Sequence, residues 1–205
     1  GSAKGSTRGH NVFRAGEHDG SVTPRTEELA EILSVVDASE ATSNLWGERW
    51  SKLSQNSMGN PVQAMSGLGS SEVMAMTDGR AITIHLAREG AKVGVALGLN
   101  IPNFGGETVE TWAESDRGDV FEALDTGMTG GGGGRANWRS SMAQDIVKHR
   151  RSEVDYMNGY IVGKGREAGV PTPIHAAVVD TMHAVDSGEI EPSPENIINT
   201  LKQAV

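Results

Sequence analysis

Apolar residues recur at intervals of three and four along most of this chain and seldom alternate, so the pattern predicts helices far more often than strands. Thr23-Pro24 sets a capping residue before a proline, and Leu29, Ile32, Leu33 and Val36 follow at helical spacing, which predicts a first helix over residues 24–37. A second helix begins near Asn44 and carries Trp46, Trp50 and Leu53 on its apolar side. It ends or kinks at Pro61, which has no N–H to give. Residues 70–99 read as helical, with Met76, Ile84, Leu86 and Val93 expected inside and Thr77-Asp78-Gly79 as a weak middle; residues 115–124 read as a shorter helix. Met142, Ile146, Val154, Met157 and Ile161 predict one long helix over 139–168, and two more follow Pro173 and Pro194. Only residues 11–22, NVFRAGEHDGSV, suggest a strand, ending at the Asp19-Gly20 turn. The fold class is therefore mainly α, a helical bundle with at most one short N-terminal strand. Between Leu124 and Trp138 the run Gly130 to Gly134 is too flexible for a regular element and predicts a mobile loop or lid.

Composition narrows the function classes. The 205 residues suffice for one sizeable core with an appendage, and 37% hydrophobic with 22% charged residues is the balance of a folded globular protein. The absence of cysteine excludes disulfides, thiolate metal sites and cysteine nucleophiles. No apolar run approaches the roughly 18 residues that would span a bilayer, and no signal-peptide core follows the N-terminus, so a cytoplasmic protein with no membrane partner is expected. A net charge of −9 argues against nucleic acid as a partner, since the basic cluster Lys148-His149-Arg150-Arg151 is diluted by Asp145, Glu153 and Asp155.

Several motifs match known chemistry by letter and fail by context. Gly163-Lys164-Gly165-Arg166-Glu167-Ala168 fits the dinucleotide fingerprint, but follows a helical pattern where a buried strand is required. The glycine run is followed by Arg135-Ala136, where a phosphate loop needs Lys-Ser/Thr. The six histidines show no metal-ligand spacing, Ser141 lacks a nucleophile elbow, and Met128, Met142, Met157 and Met182 read as core filler.

Lys52, Asn56 and Asn60 carry more information. Each step of four residues turns a helix by only about 40° and advances it about 6 Å, so an amine and two amides would line one wall within roughly 12 Å. A solvated polar face and a wall for a small polar ligand both fit that spacing. Glu153, flanked by apolar helix positions, is either a partly desolvated carboxylate or an exposed ion-pair partner of Arg150 or Arg151. A lysine, a carboxylate and amides in one cleft would suit protonation of a developing alkoxide, for which a desolvated lysine is well fitted.

WSKLSQNSMGNP resembles the helix of ketopantoate reductases (2-dehydropantoate 2-reductases) that bears a lysine and two asparagines at these intervals, and RSSMAQDIVKHRRSEVDYMNG resembles that family's second signature. GLGSSEV, GVPTPIHAAVVD and FRAGEHDG are similar to further family positions in the same order. The resemblance implies a 6-phosphogluconate-dehydrogenase-like helical domain and an NADPH-dependent reduction of a 2-oxo acid, ketopantoate, to pantoate. It also implies Lys52 as proton donor, Asn56, Asn60 and Ser141 as substrate-binding residues, and Glu153 as the carboxylate that orients substrate or lysine. The family's Rossmann domain has no counterpart here, so residues 1–22 are expected to be a remnant strand and linker and 23–205 the substrate-binding domain, with the Rossmann domain a partner in cis or trans. A homodimer is a further expectation. The alternatives are a non-catalytic helical binding or dimerisation module, or a reductase of another 2-oxo acid. In one unbroken helix Ser141 and Glu153 would stand about 18 Å apart, so both reach one small ligand only if Ser141 precedes the helix or the helix bends.

Overall fold

A computed structural model of the chain describes residues 13–129 and 139–204, which form two compact units. The first runs to Ser51 and adds Leu99–Pro102; the second takes Lys52–Gly98 and Asn103 onward.

In the first unit, strand β1 (Phe13–Ala15) leads through helix α1 (Pro24–Leu33) to strand β2 (Ser39–Ala41). The strands pair in parallel, Phe13 opposite Ser39 and Ala15 opposite Ala41. The single expected strand is therefore two; Ser-Glu-Ala is too short and too polar to announce itself by alternation. Thr23 caps α1 as its sequence implies: its hydroxyl accepts from the Thr26 N–H, and the Thr26 hydroxyl accepts from the Thr23 N–H. The apolar positions of α1 behave unexpectedly. Thr26 and Ala30 are buried, while Leu29 is 46% and Ile32 60% exposed, and Val36 just beyond is 77% exposed. Helix α2 (Leu45–Ser57) begins in this unit; there Glu48 accepts a 2.8 Å hydrogen bond from Arg14, and Trp46 donates to the His18 carbonyl.

The second unit is a helical bundle. After the last turns of α2 come α3 (Asn60–Ser66), α4 (Ser70–Ala75), α5 (Thr77–Ala96), α6 (Val109–Ala113), α7 (Gly118–Thr129), α8 (Ser141–Val147), a 3-10 turn (Val154–Tyr156), α9 (Asn158–Ala168), α10 (Pro173–Asp186) and α11 (Pro194–Ala204). Helix α5 runs through the middle and packs against α4, α6, α7, α9, α10 and α11. Val62, Met65, Ile82, Ile84, Met142, Ile161 and Met182 are sealed from solvent, as is Trp112, whose indole N–H donates to the Phe104 carbonyl at 2.8 Å.

The long helix expected over 139–168 is broken. It stops after Val147, where His149 takes a left-handed φ of 52° and the Arg150 N–H closes onto the Asp145 carbonyl. Neither a glycine nor a proline marks the break, and apolar residues on both sides keep helical intervals because both pieces pack into one core. The helix expected over 70–99 is also divided, at Met76 rather than at Thr77-Asp78-Gly79, which instead opens α5. Helix α6 was not anticipated, and α7 extends to Thr129, into residues expected to be loop. The glycine run itself lies outside the described residues. Gly163 to Ala168 falls inside α9, and Gly165 there allows close packing: a Cβ would stand 2.8 Å from both the Val170 carbonyl oxygen and the Thr172 methyl. The dinucleotide-like letters thus serve helix packing. No described helix is long and apolar enough to cross a membrane.

Candidate functional site

All five residues of the expected site lie in the second unit, on four separate segments. Lys52 and Asn56 are one turn apart on α2, the first exposed and the second half-buried. Asn60 does not continue their helix. Helix α2 ends at Ser57, Gly59 turns the chain, and Asn60 opens α3 with Pro61 in its first turn. The cause is local: Pro61 has no N–H to offer the Ser57 carbonyl, and as a helix-starting residue it favours a fresh first turn. The polar stripe is therefore two residues on one helix and a third, buried, at the head of the next.

Ser141 reaches this corner through its neighbour. Ser140 is the buried N-cap of α8; its hydroxyl accepts from the Ala143 N–H and donates to the Asn60 carbonyl at 3.2 Å, and its own N–H donates to the Gln63 side chain at 2.9 Å. Ser141 follows as the first, exposed residue of α8, so the start of one helix is tied to the start of the other. Gln63 and Ser140 supply that tie, and neither is among the residues singled out from the sequence.

Glu153 is exposed rather than desolvated, which corrects one expectation. It also forms no ion pair among the described residues: Arg151 pairs with Asp155 at 2.9 Å and Arg150 approaches Asp145 at 3.9 Å. Its segment is nonetheless held. The Asp186 carboxylate accepts from both the N–H and hydroxyl of Ser152, at 3.1 and 2.8 Å, and His183 bonds Asp155 at 2.7 Å. That contact with His183 keeps the Asp155 carboxyl below its usual range. Because the helix is broken at 148–153, the separation of Ser141 and Glu153 along an unbroken helix does not apply. The side chains of Lys52, Asn56, Asn60, Ser141 and Glu153 make no hydrogen bond to one another among the described residues.

Beneath α2 lies a buried polar group. Asn158, at the start of α9, donates from its amide nitrogen to the Ser57 carbonyl at 3.1 Å and sits 3.0 Å from His175 Nδ1; His175 Nε2 is 3.1 Å from the Leu86 carbonyl. Burial holds the His175 imidazole at about 4, well below its usual value, so the ring is neutral at physiological pH. Glu89 accepts from the backbone N–H groups of Ile174 and His175 at the head of α10, and burial pushes its carboxyl up to about 7 against those two bonds. Among the described residues no group of three or more acidic or histidine side chains could hold a metal ion. The first unit's β1–α1 connection, Ala15-Gly16-Glu17-His18-Asp19-Gly20, lacks the spaced glycines of a dinucleotide turn, so the described residues do not fit a nicotinamide cofactor's main binding site.

A family model described as ketopantoate reductase PanE/ApbA C terminal matches residues 44–186. The chain is 29% identical over 181 residues to the 2-dehydropantoate 2-reductase of Archaeoglobus fulgidus, an alignment covering 88% of this chain and 54% of that protein. Among solved structures it is similar to a PanE/ApbA family ketopantoate reductase from Ralstonia eutropha JMP134, with a TM-score of 0.65, 22% identity, and 88% of this chain and 53% of that one covered. A D-mandelate dehydrogenase solved with NADH and anilino(oxo)acetate shares the fold at a TM-score of 0.63 and 22% identity, over 80% of this chain and 62% of the other. The chain spans about half the length of the curated relatives it matches. With the family model matched across 44–186, from the head of α2 to the end of α10, the chain belongs to the ketopantoate reductase family and carries its C-terminal domain.

Proposed function

We propose that this chain is the substrate-binding and proton-donating part of an NADPH-dependent reductase that converts ketopantoate to pantoate. The observation that supports the reading is the tie between the heads of α3 and α8, where Ser140 bonds the Asn60 carbonyl and the Gln63 side chain, directly after the end of the helix that bears Lys52 and Asn56. An ammonium and amides around a small anionic oxo acid can fix its orientation and stabilise negative charge growing on the carbonyl oxygen. Lys52 would give that oxygen its proton, and Glu153 would orient substrate or lysine. Lys52 is exposed, so its desolvation would come from the closed complex rather than from this chain's own packing. Reduction also requires a hydride donor, which the family implies is NADPH and which a Rossmann domain would hold. The parallel β1–α1–β2 unit with its outward apolar side chains supports such a neighbour, because parallel strands are ordinarily covered on both faces. A D-mandelate dehydrogenase of similar fold bound to NADH and an oxo acid supports the substrate class.

Thermal unfolding of the purified chain tests the reading. Ketopantoate at a hundred times its Kd should add about 2.7 kcal/mol of stability, with smaller shifts from other 2-oxo acids, none from NADPH alone, and a reduced shift in Asn56→Ala and Lys52→Ala. A ketopantoate shift undiminished in both variants, or none at any concentration, would refute the assignment.

A further inference from the structure

We infer that Asn158 is a positioning residue of this site, resting on the reading just given: its amide closes α2 at the carbonyl that Pro61 leaves without a donor, and so sets the spacing of Asn56 and Asn60. In a continuous helix the Ser57 carbonyl would accept from the N–H of residue 61. Proline has none. The Asn158 amide nitrogen, 101 residues away in sequence, lies 3.1 Å from that carbonyl and supplies the missing donor.

The orientation of this amide is fixed by its neighbours. The Leu86 carbonyl can only accept, so His175 Nε2 carries the ring proton and Nδ1 is left as an acceptor. The Asn158 NH2 group therefore faces two acceptors, the Ser57 oxygen and His175 Nδ1, and gives one hydrogen to each. Turning the amide over would set its oxygen against both. Asn158 and His175 are almost wholly buried, so water cannot substitute for either contact. Asn158 Oδ1 has no hydrogen-bond partner among the described residues, whereas both hydrogens of its NH2 group are used; a leucine here would leave the Ser57 carbonyl and His175 Nδ1 without a donor. What the asparagine provides is a defined end to the helix bearing Lys52 and Asn56. It also stands five residues after Glu153, on the segment that Ser152 and Asp155 fasten to α10, so one stretch of chain is fastened both beside the carboxylate and beneath the amides.

The test compares the full chain with Asn158→Leu, by calorimetric titration with ketopantoate and by amide hydrogen exchange. Expected is an affinity at least tenfold weaker, with faster exchange at Met58 and Gly59, whose N–H groups make the last bonds of α2, and unchanged exchange across α5 and α11. Unchanged affinity, or exchange altered only in α9 and α10, overturns the inference. Should the parent chain bind no ketopantoate, the substrate reading fails while exchange at Met58 and Gly59 still decides whether Asn158 closes the helix. Should Asn158→Leu not fold, nuclear magnetic resonance of the parent chain decides: the His175 ring must carry its proton on Nε2, and the Asn158 side-chain NH2 signals must move on adding ketopantoate. A ring protonated on Nδ1, or NH2 signals that stay still, overturns it.

Discussion

The two units use the same kind of amphipathic helix to opposite effect. In the second, the apolar stripes of α5, α9 and α10 meet one another, and Ile82, Ile84, Ile161 and Met182 are sealed from solvent. In the first, α1 buries Thr26 and Ala30 while Leu29 and Ile32 are exposed, beside a sheet that among the described residues has two three-residue strands. The difference shows that an apolar stripe foretells a helix and not how deeply its stripe is covered. In the second unit the neighbouring helices cover it.

The largest effect that sharpens the contrast is Ile82→Ala. A fully buried isoleucine cut to alanine should cost about 2–5 kcal/mol, read by chemical denaturation; a loss under about 1 kcal/mol would mean the second unit is not closely packed. A smaller effect depends on pH. The Glu89 carboxyl is pushed up to about 7 in the folded chain from an ordinary 4.5, so its contribution is fully present below 4.5 and is lost as pH rises through 7. His175 acts the other way: held at about 4 against an ordinary 6.5, it contributes fully above 6.5 and less as pH falls through 4. Glu89→Gln removes the first trend alone, so the stability of the parent relative to the variant should fall as pH is raised from 4.5 through 7. A constant gap would show that Glu89 does not titrate in that window. The smallest expected effect is that of Ile32→Ser, within about 0.5 kcal/mol because the side chain is mostly exposed; a cost like that of Ile82→Ala would mean that α1 is covered and that the contrast between the units is false.

What the sequence disclosed depended on how local the cause was. The start of α1 was legible because Thr23, Pro24 and Thr26 settle it among themselves. The fall of α2 before α3 was half legible: Pro61 announced a break, but nothing nearby said that Asn60 would begin a new helix rather than finish the old one. The break after Val147 was hidden, because His149 enters the left-handed region without the glycine that usually marks it, and Ile146, Val154 and Met157 keep their intervals across it. In the site, the spacing of Lys52 and Asn56 was visible in four residues. Gln63 with Ser140, and Ser57 with Asn158, are 77 and 101 residues apart, and no period or propensity connects them.

The placing of the tryptophans has an optical consequence. Trp46, its ring between the His18 ring and the Arg49 guanidinium, is 44% exposed, while Trp112 is sealed beside Phe104. An acrylamide or iodide quencher will meet the first indole and miss the second. Trp50, in the same unit as Trp46, is buried as Trp112 is, so quencher access in the folded chain reports on the surroundings of Trp46, and quenching of the buried indoles reports that their packing has opened.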